Sequence, residues 1–182
     1  MPPPSDLVSL ARSIAAQHSL DPALVCAVVE QESDWDAHSI RYEPVFRTRY
    51  VAPLGLSPTE EIARSMSWGL MQVMGQVARE HGFTGKFLSA LGDPAVGVHI
   101  GCVVLANKFA AASRELSDSL PAVPGGSNTL ANGASGQRIA APVSDAVAGS
   151  NIALLRRSLL LWNGGANPDY PAQVLARLAH YQ

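Results

Sequence analysis

A carboxyl that closes an apolar helical stripe can serve as a general acid near neutral pH, and Glu32 stands in such a place. Leu24, Val28 and Glu32 recur at i, i+4 and i+8, so they share one helix face. Partial desolvation disfavours the ionised form and raises the pKa, which leaves a proton to donate. A solvated glutamate near a helix C-terminus is the competing reading from position alone. Glu30 points to another face and reads as a surface charge.

Two further strings are unusual. Gly69-Leu70-Met71-Gln72-Val73-Met74 sets a glycine before flexible side chains and one amide. Glycine allows close backbone approach, and Gln72 can donate and accept hydrogen bonds. The plain alternative is a helix start with Met in the core. Leu161-Trp162-Asn163-Gly164-Gly165 ends an apolar helix in an aromatic, an amide and two glycines; by itself this is ordinary helix-stop chemistry.

Helices must position these strings. Ser5 to His18 reads as a first helix capped by Ser5, with Leu7, Val8, Leu10, Ala11 and Ile14 as its apolar face. Asp21-Pro22 opens a second, apolar nearly all round and therefore central. Residues 36–67 read as irregular and partly extended, then as a short helix capped near Thr59. Met66 to His81 reads as a loop entering a helix through Leu70, Val73, Met74 and Val77. Asp93-Pro94 repeats the capping chemistry and opens a helix to about Glu115. Residues 117–150 are Ala, Gly, Ser or Pro at 21 of 34 positions, so a flexible insertion inside a single domain over 5–182 is expected. Ile152 to Trp162 returns to helix, and Tyr170 to Tyr181 forms the last one, started by Pro171.

Composition narrows the classes. The 182 residues carry 13 basic and 15 acidic side chains, too little positive charge for nucleic-acid binding by bulk electrostatics. With 47% hydrophobic residues the chain can fill a core. No transmembrane span is read, since no run of 18 apolar residues occurs. The N-terminus lacks signal-peptide features. Cys26 and Cys102 lack zinc-ligand spacing and read as two buried thiols, or as one disulfide between helices. His18, His38, His81, His99 and His180 are scattered. No metal and no cofactor are expected.

In order, Glu32-Ser33-x-Trp35, Gly69-Leu70-Met71-Gln72, Trp162-Asn163-Gly164-Gly165 and Tyr170 to Tyr181 resemble the catalytic domain of soluble-type lytic transglycosylases. This lysozyme-like superfamily includes goose-type lysozyme. Asp93-Pro94 resembles the family's Asp-Pro helix start. The resemblance covers about residues 6–112 and 151–181. It implies a mainly α, α+β lysozyme-like fold with a sugar-binding cleft. It implies that Glu32 protonates the β-1,4 glycosidic oxygen between N-acetylmuramic acid and N-acetylglucosamine. As a base, Glu32 then takes the proton of the muramic acid 6-hydroxyl, which closes on C1 to a 1,6-anhydro end. The substrate's N-acetyl group would stabilise the oxocarbenium-like state, making a second carboxylate dispensable. Gln72 and Met74 match groove positions, Trp162 and Asn163 the aromatic-Asn motif, and Tyr181 the closing tyrosine. Tyr170 joins them as a substrate-binding residue. Ser33, next to the glutamate, is counted with the substrate-binding residues and fixes local backbone geometry more than it does chemistry. The implied partner is a peptidoglycan glycan strand, met by a monomer at the cell wall, periplasmic or extracellular; a phage lysin or a bacterial enzyme fits.

Some positions depart from the family pattern. Trp162 stands where a tyrosine is common, so a hydroxyl is exchanged for an indole N–H, a donor only. Arg41 stands where many members have serine. The interval from Glu32 to Gly69 is long, at 37 residues, and contains Arg41-Tyr42-Glu43-Pro44. Glu43 can pair with Arg41 or Arg47. Alternatively Glu43, Asp34 or Asp36 faces Glu32 at roughly 6.5–9.5 Å and activates water, which makes an inverting, goose-type-like muramidase. An inactive wall-binding module is the third reading.

Overall fold

The computed structural model describes residues 3–119 and 143–182. It is mainly helical with one small sheet. Helix α1 is Ser5–Gln17, α2 Pro22–Ser33, α3 Pro44–Phe46, α4 Pro58–Arg64, α5 Gly75–Glu80, α6 Pro94–Asp118, α7 Val143–Trp162 and α8 Tyr170–Leu178. Strands β1 (Ile40–Tyr42), β2 (Met66–Trp68) and β3 (Val73–Met74) form an antiparallel sheet in the order β1-β2-β3. Arg41 pairs with Ser67, and Ser67 with Met74.

Aspartate caps and proline starts place the two central helices. Asp21 Oδ1 accepts from the amides of Ala23 at 2.8 Å and Leu24 at 3.4 Å. Asp93 Oδ1 does the same for Ala95 at 3.0 Å and Val96 at 3.1 Å. Each cap satisfies amide donors that the first helical turn leaves unpaired. Every residue of α2 from Ala23 to Val29 is buried, as its all-round apolarity requires. Helices α1 and α8 pack against α2.

Helix α6 is long and apolar enough, by length and composition alone, to cross a membrane. Here Val98, Cys102, Val104 and Leu105 are buried, and the helix packs on α1 and α7. Cys26 and Cys102 are free, buried thiols, and burial pushes them up to about 11 and about 12.

Several element boundaries differ from the sequence reading. Pro4, not Ser5, is the N-cap of α1, because proline's fixed φ suits the last extended residue. Ser57, not Thr59, precedes α4, with Pro58 in its first turn. Residues 66–74 form the β2–β3 hairpin rather than a helix entry; the left-handed backbone at Gly69 and Gln72 turns the chain there. The last helix ends at Leu178, so Tyr181 lies beyond it. Helix α6 runs past Glu115 to Asp118, and α7 begins at Val143, ahead of Ile152. The remainder of the insertion expected over 117–150, residues 120–142, lies outside the described residues.

Candidate active site

Glu32 sits in the last turn of α2, one step beyond the buried Leu24 and Val28. Burial drives its pKa upward. The hydrogen bonds from Tyr170 and Trp162 and the charge of Arg41 oppose this, and burial prevails. Trp162 Nε1 donates to Glu32 Oε1 at 2.8 Å, and Tyr170 Oη donates to the same oxygen at 2.6 Å. Among the described residues, no donor reaches Oε2. A carboxyl held this way keeps both bonds in either protonation state, because a carbonyl oxygen accepts as a carboxylate oxygen does.

The two donors end one helix and begin the next. Trp162 is the last residue of α7 and Tyr170 the first of α8. Asn163 shapes the loop between them. Its Nδ2 donates to Asn167 O at 3.0 Å, and its Oδ1 accepts from Gly165 N at 2.9 Å. Gly164 and Gly165 have φ of 70° and 75°, which residues with a Cβ rarely adopt. Asn163 thus lies beside Glu32's donors with its amide spent on the loop.

On the other side of Glu32, Ser33 Oγ donates to Leu70 O at 2.9 Å and ties α2 to the hairpin. Gln72 has φ 45°, and its amide holds that turn from within. Nε2 donates to Ser39 O and Gly69 O, both at 2.9 Å, while Oε1 accepts from Ser67 Oγ at 2.7 Å. Gly69, at φ 68°, is pressed against the Leu91 carbonyl, which a Cβ would meet at 2.4 Å. Met74 is half-buried at the end of β3. Met71 is fully buried and fills the space left by the missing side chain of Gly101.

The candidate second carboxylates are engaged or exposed. Glu43 pairs with Arg41 at 2.5 Å. Asp34 is exposed, and Asp36 Oδ1 accepts from His38 N at 2.9 Å. Arg41 itself is 71% exposed on β1, and its charge favours the carboxylate form of Glu32.

Tyr181 stands apart from Glu32. It is buried, donates to Glu30 Oε2 at 2.6 Å and accepts from Trp35 Nε1 at 2.8 Å. Glu30 is therefore a partly buried anchor rather than the free surface charge its position suggested. Tyr170, not Tyr181, is the tyrosine that reaches Glu32.

A family model for the transglycosylase SLT domain matches residues 9–135, more than half of the chain. The chain belongs to the transglycosylase SLT domain family. No curated protein and no solved structure matches it. The match spans Glu32, Ser33, Gln72 and Met74 and stops before Trp162 and Tyr170. An SLT domain is a lysozyme-like, peptidoglycan-cleaving module, and the helical fold with its three-stranded sheet agrees with that class. Within this SLT domain the indole of Trp162 contacts the glutamate, and Tyr170 supplies a hydroxyl bond to it as well.

Sequence reasoning missed the Tyr170–Glu32 bond and the grip on Glu30. The signal for the first was the short 163–169 connection, which returns the chain of α8 to the point where α7 stopped.

Proposed function

We propose that this SLT domain is a lytic transglycosylase in which Glu32 acts first as acid and then as base. The observation that carries the reading is the pair of donors on Glu32 Oε1, which leaves Oε2 as the oxygen through which a proton can leave and return. Burial keeps that proton bound closer to neutral pH than on an ordinary glutamate.

In the first step Oε2 gives its proton to the glycosidic oxygen between N-acetylmuramic acid and N-acetylglucosamine, and the C1–O bond breaks. The leaving sugar departs as an alcohol, and positive charge develops at C1. The muramic N-acetyl group shares that charge. In the second step Glu32, now a carboxylate, takes the proton of the 6-hydroxyl, whose oxygen bonds to C1. The acid is regenerated and the product is a 1,6-anhydro end. Met74 and the Gln72 turn line the groove. Trp162 and Tyr170 orient the carboxyl, and Asn163 holds the loop that carries them. The chain works as a monomer on glycan strands of the cell wall.

A muramidase needs a second carboxylate to activate water. The Glu43–Arg41 pair favours a structural role for Glu43. Digestion of purified peptidoglycan with mass spectrometry of the products tests both points. Anhydro-muropeptides are expected from the wild type and from Glu43→Gln, and no product from Glu32→Gln. Reducing ends, heavier by one water, would make the enzyme a hydrolase. Full lysis by Glu32→Gln would remove Glu32 from the chemistry. An inactive wall-binding module would give no product from any form.

A further inference from the structure

The last turn of α2 is gripped twice, and the second grip does not involve Glu32. Tyr170 opens α8 and bonds Glu32, whereas Tyr181 lies just past the end of α8 and bonds Glu30. Helix α8 is thus a strut with a tyrosine at each end, each holding one carboxylate of α2. The Tyr181 hydroxyl also accepts from the indole of Trp35 at 2.8 Å. An indole is a donor only and a carboxylate an acceptor only, so a hydroxyl is the group that can join them. The joined bonds polarise one another, and the carboxylate end makes the chain charge-assisted.

This chain spans a strained place. Asp34 and Trp35, directly after α2, have φ of 49° and 68°. Two consecutive non-glycine residues in the left-handed region persist only where their surroundings hold them. The Trp35 side chain is buried at 5% exposure, its ring tilted 56° to that of Tyr181 with centroids 5.9 Å apart. The tail bearing Tyr181 is itself fixed, since Arg12 on α1 donates to the Tyr181 carbonyl. Glu30 is further approached by His180 Nδ1 at 3.2 Å and Arg177 Nε at 3.8 Å.

We infer that Tyr181 is a positioning residue: by bridging Glu30 and Trp35 on either side of Glu32, it fixes the Glu32 carboxyl against Tyr170 and Trp162. The inference rests on Glu32 being the reacting group, and its structural half can be read without activity. Among the described residues Tyr181 makes no hydrogen bond to Glu32 or to the hairpin, so its effect on Glu32 runs through α2.

The test uses the three tryptophans, whose indole N–H groups each report one place. Trp35 donates to Tyr181, Trp162 to Glu32, and Trp68 to the Ala63 carbonyl at 3.0 Å. In Tyr181→Phe, the indole ¹⁵N–¹H signals of Trp35 and Trp162 should both move while that of Trp68 stays. On peptidoglycan, kcat should fall on the order of tenfold with KM unchanged, measured well below the melting temperature. In a Tyr170→Phe background the same substitution should add little, because the alignment it protects is already lost. Glu30→Gln, which keeps a carbonyl acceptor, should move the same signals less and serves if Tyr181→Phe folds poorly. A Trp162 signal that stays put in both variants, with kcat unchanged, overturns the inference and leaves the role of Glu32 intact. Full activity of Glu32→Gln would remove the catalytic reading, while the displacement of the Trp162 signal would still decide the structural link.

Discussion

Tyr170 donates its hydroxyl to Glu32 Oε1 at 2.6 Å from the first position of α8. The bond joins residues 138 positions apart in sequence, so the reacting geometry depends on how α8 docks on α2. Burial of Tyr170 and the neighbouring Glu32 charge both keep its phenol protonated, far above the usual tyrosine value. It remains a donor throughout the pH range of any wall enzyme.

Removing that donor has two consequences of known sign. The bond lowers the Glu32 pKa against the pull of burial, so Tyr170→Phe raises it further. A general acid loses activity as pH rises through its pKa, so the alkaline limb of the kcat/KM profile shifts to higher pH. Loss of a charge-assisted hydrogen bond, about 1.5–3 kcal/mol, lowers kcat on the order of tenfold or more. A limb that moves to lower pH would contradict this assignment.

Arg41 acts on the same carboxyl by charge alone. Its guanidinium stabilises the carboxylate form, so Arg41→Gln also moves the alkaline limb upward. The side chain is largely exposed, so the wild-type limb itself drifts upward as salt screens the charge, with a Debye length of about 8 Å at physiological ionic strength. The variant should show a flatter salt dependence. pH–rate profiles at low and high salt check the pair.

Glu32 carries a stability cost that Gln should relieve. Its folded-state pKa lies above the unfolded value of about 4.3. The folded state therefore binds the proton more tightly. Stability from this group is greatest below the unfolded pKa and declines as pH rises through the folded one. Glu32→Gln keeps an oxygen for Trp162 and Tyr170 and removes the buried charge. Its melting temperature should exceed that of the wild type at neutral pH, with the difference shrinking as pH falls below the unfolded-state pKa. Calorimetry across pH gives the answer.

Gly69 tests the hairpin. At its φ of 68° a Cβ would collide with the Leu91 carbonyl, which leaves no place for a methyl group. Gly97 on α6 lies against the same carbonyl, where a Cβ would collide with it too, so Leu91 O has little room to retreat that way. Gly69→Ala should destabilise by about 1–3 kcal/mol or more and loosen the Ser33–Leu70 tie behind Glu32. Chemical denaturation together with wall lysis would register both effects; unchanged stability would mean that the turn can rearrange.

The amino-acid order alone determined much of this protein. The Asp21-Pro22 and Asp93-Pro94 pairs define where α2 and α6 begin, since capping and the proline φ act within a few residues. The apolar run from Ala23 to Val29 determined that α2 is central, and the stripe through Leu24 and Val28 put Glu32 at the edge of the core. The motif order led to the family. The sheet and the partners of the carboxylates, by contrast, depend on contacts between distant segments. Strands β1, β2 and β3 have two or three residues each, too short for a periodic signal. The partners of Glu32 and Glu30 lie 130 to 151 positions away, and neither spacing nor composition encodes which tyrosine meets which carboxylate. A side chain's pKa and hydrogen bonds are set by what surrounds it, and those surroundings exist once α7 and α8 have packed against α2.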